Sequence, residues 1–352
     1  PEWLAKQPEV PMGLPLPYEK VHAFACALPE KERSVLAQRY KNDVILLSSD
    51  QKALAKAVAE VDGTVSHISD VTSPPTLCVL TMTYNHEKYI ATCIESVLAQ
   101  KTDFPVCHII LDHHSQDNTP SIIASYAEKY QSIQPILLSY RIGCENVYGL
   151  FNRCRSTYAA LCDGDDYFID NLKLQKQVDY LEKNTDCALC GHPVQVIFEN
   201  QEHQNYVYPL ESELPQGYNV KYPIDLLLEG NFLQTNSVVY RWRFTDGIPE
   251  WFRSNLCPGD WYWHLLHAEM GKIGFLSEVM SVYRRHSSAT YYSTHQSVIE
   301  YRKKYGMAEL QTYKALNDHF MVKYFKDFAT LANGVFTNFL QISINEIGRA
   351  HV

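Results

Sequence analysis

The stretch LCVLTMTYNHEKYIATCIESVLAQ, residues 77–100, decides how the chain is read. Leu77–Thr83 is a near-continuous apolar run of strand length, the pattern of a strand covered on both faces. After Thr83-Tyr84-Asn85 the period changes. Tyr89, Ile90, Cys93, Ile94, Val97 and Leu98 recur at helical spacing, which predicts a helix over Glu87–Gln100. The following segments repeat this βα unit. Cys107–Asp112 reads as a strand, and Asp117-Asn118-Thr119-Pro120 supplies a cap and a first-turn proline for a helix over Ser121–Tyr130. Pro135–Leu138 is strand-like, Val147–Ser156 helix-like, Tyr158–Asp163 a strand and Leu172–Lys183 an amphipathic helix. Such alternation implies an α/β fold with a mostly parallel sheet and helices on both faces, whose ligands bind at the carboxyl ends of the strands.

Working outward, Ser73-Pro74-Pro75 punctuates the chain and sets a boundary. Before it, residues 1–20 form a Pro-rich linker and residues 21–75 a small α/β segment of unknown role. After the strand-like Cys187–Phe198, the polar, aromatic Glu199–Tyr222 is too irregular to assign. Ile224–Glu229 then reads as a short helix, Ser237–Tyr240 as a strand, Asp260–Met270 as a helix, and Lys272–Leu276 and Val279–Tyr283 as strands. The main domain is expected over 76–290 and a helical tail over 291–345. The chain lacks an initiator Met, and Glu346-Ile347-Gly348-Arg349-Ala350-His351-Val352 resembles a translated sequencing adapter. Residues 346–352 are therefore expected to be non-native, and the chain a fragment open at both ends whose missing parts hold further domains or an anchor.

With 352 residues, 46% hydrophobic and 20% charged, the chain has the composition of a folded protein. A net charge of −9 argues against a dedicated nucleic-acid binder, which carries a basic face. No apolar run approaches the roughly 20 residues that span a bilayer. Cys78, Cys107, Cys162 and Cys187 lie inside apolar runs, which reads as buried thiols in a reducing compartment and makes the cytoplasm the expected location.

Three polar clusters fall at predicted strand ends: Thr83-Tyr84-Asn85, Asp112 with Ser115 and Asp117, and Asp163-Gly164-Asp165-Asp166. In a parallel sheet these ends share one edge, so the clusters line one cleft. Side chains two apart in an extended segment point the same way, so Asp163 and Asp165 face that cleft while Asp166 turns aside. Two carboxylates held together are costly without a positive partner, and a hard divalent cation is the usual solution. The implied ligand is a metal–diphosphate. On its own the Asp-Gly-Asp-Asp turn divides evenly between that reading and a solvated acidic loop.

Thr81–Asn85 with Tyr89-Ile90, Ser96–Gln100, Ile109–Thr119, Asn146–Asn152 and Ala160–Phe168 together resemble the nucleotide-binding half of a family 2 glycosyltransferase with the GT-A fold. The resemblance spans about residues 76–290. It implies that Thr83, Tyr84 and Asn85 border the nucleotide base and that Asp112 hydrogen-bonds the uracil edge. It makes Asp163-Gly164-Asp165 the DxD motif, with Asp163 near the ribose and Asp165 on Mn²⁺ or Mg²⁺. His113 stands where the family often has a second acid, which changes the details of base recognition. Asp260, in Pro258-Gly259-Asp260-Trp261, matches the catalytic base, and His286, in Tyr283-Arg284-Arg285-His286, matches a metal-binding histidine. The implied activity is inverting transfer of a hexosyl or N-acetylhexosaminyl group from a UDP-linked donor to a glycan or lipid-linked hydroxyl, in the assembly of a surface polysaccharide or similar glycan.

Each assignment has a plainer rival. Asp at a helix start is more often an N-cap than a base, and a lone His is more often structural than a ligand. Arg284 and Arg285 stay undecided between diphosphate contacts and exposed loop residues. Cys187-x-x-Cys190-Gly-His192 has zinc-like local spacing but no second pair, so structural thiols are favoured. Trp242, Trp251, Trp261, Tyr262 and Trp263 read as core before acceptor platform. The basic, aromatic tail reads first as a solvated helix face and second as a peripheral contact with the inner face of a membrane. For the whole chain, the alternatives are a sugar nucleotidyltransferase, which Thr81–Lys88 disfavours by containing no glycine, and a non-catalytic glycan-binding or scaffold module.

Overall fold

In the computed structural model, Leu77–Thr83 forms β1, buried along its length except for the half-buried Met82. The structure describes residues 76–139, 154–199, 203–245, 248–249, 259–289 and 297–350. The expected linker and small segment over 1–75, the motif block 146–152, Trp251, Pro258 and the last two residues lie outside this set. After β1 come α1 (Ile90–Leu98), β2 (Val106–Asp112), α2 (Thr119–Ala127), β3 (Ile133–Leu137), β4 (Tyr158–Leu161), β5 (Tyr167–Phe168) and α3 (Lys173–Lys183). The chain continues through β6 (Cys187–Gly191), β7 (Val194–Phe198), β8 (Tyr206–Tyr208), β9 (Val220–Tyr222), α4 (Ile224–Glu229) and β10 (Val239–Arg241). It closes with α5 (Trp261–Ala268), β11 (Lys272–Phe275), β12 (Ser281–Arg285), α6 (Val298–His319) and α7 (Phe325–Ala350). The expected irregular loop over Glu199–Tyr222 thus holds two three-residue strands, β8 and β9, too short to show a period in sequence.

The main sheet has the order β3-β2-β1-β4-β10-β6-β11-β9. Its first four strands are parallel, as the βα alternation requires. β10 runs antiparallel between β4 and β6, and β9 antiparallel to β11, so the sheet is mixed beyond β4. Alternation along β1 sorts the core into two layers. Leu77 and Val79 pack with Ile90, Cys93 and Ile94 of α1 and Leu174, Val178 and Leu181 of α3. Cys78 and Leu80 belong to the opposite layer, with Tyr262, Trp263, Leu265 and Leu266 around α5. That layer extends through Tyr313, Leu316, Phe320, Tyr324 and Phe328, so α6 and α7 pack on the same core rather than standing apart. Trp242 and Trp263 stack at 5.7 Å inside it, the plainer of their two expected roles.

Register positions the site. Thr83 pairs with Asp112 across β1 and β2, and the β1–β4 ladder runs on past both strands: Cys162 N–H donates to the Leu80 carbonyl and Gly164 N–H to that of Met82. Thr83, Asp112 and Asp163-Gly164 therefore share one edge. A second sheet, β5-β12-β7-β8, stands against it. In the antiparallel β5–β12 pair, Val282 faces Tyr167 and Ser281 faces Phe168. Continuing that register carries Arg284 and His286 to the acidic turn before β5. Among the described residues, Cys78, Cys93, Cys107, Cys154, Cys162, Cys187 and Cys190 are buried free thiols, as expected. No helix of the described residues is long and apolar enough to cross a membrane.

Candidate functional site

The first two strand-end loops are tied together by polar contacts. Asn85, at a left-handed φ of 55°, donates its N–H to Ser115 Oγ and accepts from Gln116 N–H at Oδ1, each at 2.8 Å. His86 N–H donates to Thr119 Oγ1 at 2.9 Å, and Glu87 N–H to Asp117 Oδ2 at 3.0 Å. Asp112 is 1% exposed; its Oδ2 accepts from Ser115 N–H at 2.9 Å and its Oδ1 from the Ser115 hydroxyl. Its carboxylate thus holds the loop after β2 as well as marking the edge. Thr83 lies buried beneath this junction, Tyr84 approaches His113 edge-on at 6.4 Å, and Thr83 Oγ1 has no hydrogen-bond partner among the described residues.

The Asp163–Asp166 turn crosses the same edge. Asp166 turns aside, as the pleat predicts: it accepts from Asn236 Nδ2 at 3.0 Å and from Arg284 N–H at 2.9 Å. Asp163 and Asp165 are each half-buried, and Asp165 faces His286 and His86. Burial pushes the Asp163 carboxyl up to about 8, and the charges of Asp165 and Asp260 add to the rise. Burial, with Asp165 and Asp163 beside it, also raises Asp166. Burial opposes ionisation of Asp165 too, but His286 and His86 outweigh it and hold that carboxyl below its usual range. Crowding three acids in one turn thus disfavours ionisation of Asp163 and Asp166 and leaves Asp165 as the carboxyl held in its charged form.

Glycine at position 164 is a requirement of close approach. A Cβ there would lie 2.6 Å from Thr83 Oγ1, 2.7 Å from Thr83 Cβ and 3.0 Å from His86 Nδ1. Gly164→Ala is expected to destabilise the fold by ~1–3 kcal/mol, because the added methyl meets packed atoms on two elements. Urea unfolding measures it, and a change under 0.5 kcal/mol, the size of an ordinary surface substitution, would contradict the packing.

His286 is 1% exposed, with Nδ1 at 2.8 Å from Ser288 Oγ and Nε2 at 3.0 Å from Asp165 Oδ2. His86 Nε2 lies 3.8 Å from the same oxygen. His86, Asp165 and His286 form a cluster, with one ligand atom of each lying within 4.8 Å of the others, able to coordinate a divalent metal. Metal binding needs an unprotonated imidazole and an ionised carboxylate; burial lowers the His86 pKa against the pull of Asp165, and the Asp165 carboxyl is held below its usual range. The donor set therefore fits the expected ion. Arg284 Nε donates to the Asp165 carbonyl at 2.9 Å, and its guanidinium lies over Tyr89 and Tyr167. Arg285 points away, among Phe198, Tyr206 and Tyr283.

Asp260 precedes α5 yet its side chain makes no capping hydrogen bond. Thr235 Oγ1 donates to Oδ2 at 2.6 Å, Asn231 Nδ2 approaches Oδ1 at 3.3 Å, and His264 Nε2 lies 3.7 Å from Oδ2. Tyr240 Oη lies 2.8 Å from His264 Nδ1, behind it. Burial pushes the Asp260 carboxyl up, but His264 and Thr235 outweigh it and the group ends below its usual value. Its charge contributes to the raised pKa of Asp163. Sequence reasoning missed His86, Thr235, Asn231 and His264. His86 follows Asn85 directly, but the left-handed turn there breaks any extrapolation from the strand; His264 was legible only as the i+4 neighbour of Asp260.

The family model described as Glycosyl transferase family 2 matches residues 78–250. An uncharacterized protein of Mycobacterium tuberculosis (strain ATCC 25618 / H37Rv) is 39% identical over 245 residues, which are 69% of this chain and 68% of that protein. An uncharacterized glycosyltransferase of Methanocaldococcus jannaschii is 32% identical over 128 residues, 36% of this chain and 44% of its own. Among solved structures, S. aureus TarS in complex with UDP-GlcNAc is similar with a TM-score of 0.47 at 16% identity, covering 70% of this chain and 73% of that one. The mannosyltransferase PcManGT from Pyrobaculum calidifontis, in complex with GDP-Man and Mn²⁺, is similar with a TM-score of 0.47 at 15% identity, covering 75% and 71%.

Proposed function

Because the chain belongs to glycosyl transferase family 2, we propose that it moves a hexosyl or N-acetylhexosaminyl group from a UDP-linked donor to a hydroxyl of a glycan or lipid-linked acceptor, with inversion. One observation carries this reading: Asp165, His286 and His86 meet at the carboxyl edge of the parallel strands, in the turn that also holds Asp163. Thr83, Tyr84, Asn85 and Asp112, with the loop that Asp112 holds, border the base. Asp163 serves the ribose, and Gly164 lets the turn lie against Thr83.

Asp165 and His286 would hold the ion, which when bound neutralises charge on the departing diphosphate. The acceptor oxygen attacks the anomeric carbon as the bond to the diphosphate oxygen breaks, and the acceptor proton passes to Asp260. Its Oδ2 accepts from Thr235 Oγ1 at 2.6 Å and its Oδ1 from Asn231 Nδ2 at 3.3 Å, so Oδ1 is the less tightly engaged of the two and the one suited to take the proton. Arg284 keeps the Asp165 backbone in place, with its guanidinium stacked between two tyrosines rather than offered to the diphosphate. The GT-A domain is placed over 76–290 in this reading. A panel of UDP-hexoses and UDP-N-acetylhexosamines, with Mn²⁺ or Mg²⁺, is expected to give UDP release or thermal stabilisation with at least one donor. Silence across the panel, with neither signal, would count against it.

A further inference from the structure

Resting on the reading that this crevice binds a metal–diphosphate, we infer that His86 is a third protein ligand of the ion, so that the chain holds it with two imidazole nitrogens and one carboxylate oxygen. The side chain is built into place. His86 N–H donates to Thr119 Oγ1 at 2.9 Å, and its carbonyl accepts from the N–H groups of Tyr89 and Ile90, each at 2.9 Å. The ring meets Tyr89 at 6.2 Å and His286 at 6.1 Å, both edge-on, and its Nδ1 sits against Gly164.

Neither ring nitrogen is used structurally. Nδ1 is buried without a hydrogen-bond partner among the described residues. Nε2 faces Asp165 Oδ2 at 3.8 Å, too far for a hydrogen bond. His86 is half-buried, and a buried ring nitrogen that serves the fold normally has a partner, which its Nδ1 lacks. Two ligands each ~2.1 Å from one ion lie at most about 4.2 Å apart, a ceiling that both imidazole–Asp165 distances, 3.0 and 3.8 Å, respect.

The donor set makes Mn²⁺ the ion to test. Mg²⁺ takes oxygen ligands and keeps waters, whereas imidazole favours first-row transition ions. Asp163 contributes no atom to the cluster, so the protein offers two nitrogens and one carboxylate oxygen rather than two carboxylates. Among transition ions, Mn²⁺ is also suited to the oxygen ligands that a diphosphate supplies.

The test titrates the whole chain with Mn²⁺ in the presence of UDP, reading free ion by electron paramagnetic resonance. The wild type is expected to show nitrogen modulations from two imidazoles in the bound-ion spectrum. His86→Asn is expected to lower Mn²⁺ affinity by about 10- to 100-fold, the usual cost of a disturbed metal shell, and to leave one imidazole. The wild-type nitrogen count needs no variant: a single imidazole overturns the inference, as does an unchanged Mn²⁺ affinity in folded His86→Asn. UDP release separates the two levels. Turnover with a one-imidazole centre removes the role of His86 and keeps the glycosyltransferase reading. A two-imidazole centre in a chain that releases UDP from no donor keeps the centre and sinks that reading.

Discussion

Asp165→Ala is expected to lower sugar transfer by about 10³-fold or more, because it removes the one carboxylate that both imidazoles face. His86 and His286 both approach Asp165 Oδ2, so this single oxygen organises the cluster. Without it, two imidazoles remain with no carboxylate between them, and Asp163 lies outside the set of converging ligand atoms. Donor affinity measured by calorimetry in Mn²⁺ should fall with turnover. Folding should suffer less: His286 loses the acceptor 3.0 Å from its buried Nε2, a cost of ~1–3 kcal/mol. Relief of Asp163 and Asp166 from a neighbouring charge offsets part of it, since Asp165 raises both their pKa values. A variant that unfolds like the wild type yet binds UDP-sugar with unchanged affinity would refute the scheme.

How much of this could be seen in the sequence follows from the range of each signal. Leu77–Thr83 announced β1 to the residue, because a doubly covered strand must be apolar throughout. Asp112 and Asp163 were legible as strand-end acids, and the pleat alone distinguished Asp165 from the buried Asp166. What stayed hidden depends on long-range pairing. The placement of β10 antiparallel between β4 and β6 brings Val239 opposite both Ala160 and Cys190, a juxtaposition no local period encodes. His286 was reached only through the family resemblance, since its position beside Asp165 is set by the β5–β12 register. Cys187 and Cys190 show the converse. Their spacing suggests zinc, but β6 buries both in the sheet core, and His192 Nδ1 lies against the Pro193 carbonyl.

Asp260→Asn is expected to reduce kcat by about 10²- to 10⁴-fold, the range of a lost general base, while donor affinity stays within about twofold. The substitution keeps the shape that Thr235 and Asn231 hold and leaves the metal cluster untouched. Single-turnover transfer and calorimetric donor binding separate the two effects, and retained turnover would refute the assignment of the base. The pH profile tests the same carboxylate in the wild type. Burial raises its pKa, but His264 and Thr235 reverse the shift and place it below the ordinary 3.8. A depressed carboxyl stabilises the fold above that unfolded value, and the contribution is lost as pH falls through the folded one. The base is therefore ionised throughout the neutral range, and its own protonation should not limit kcat there. An acidic limb in the neutral range would show that another group governs the proton instead of Asp260.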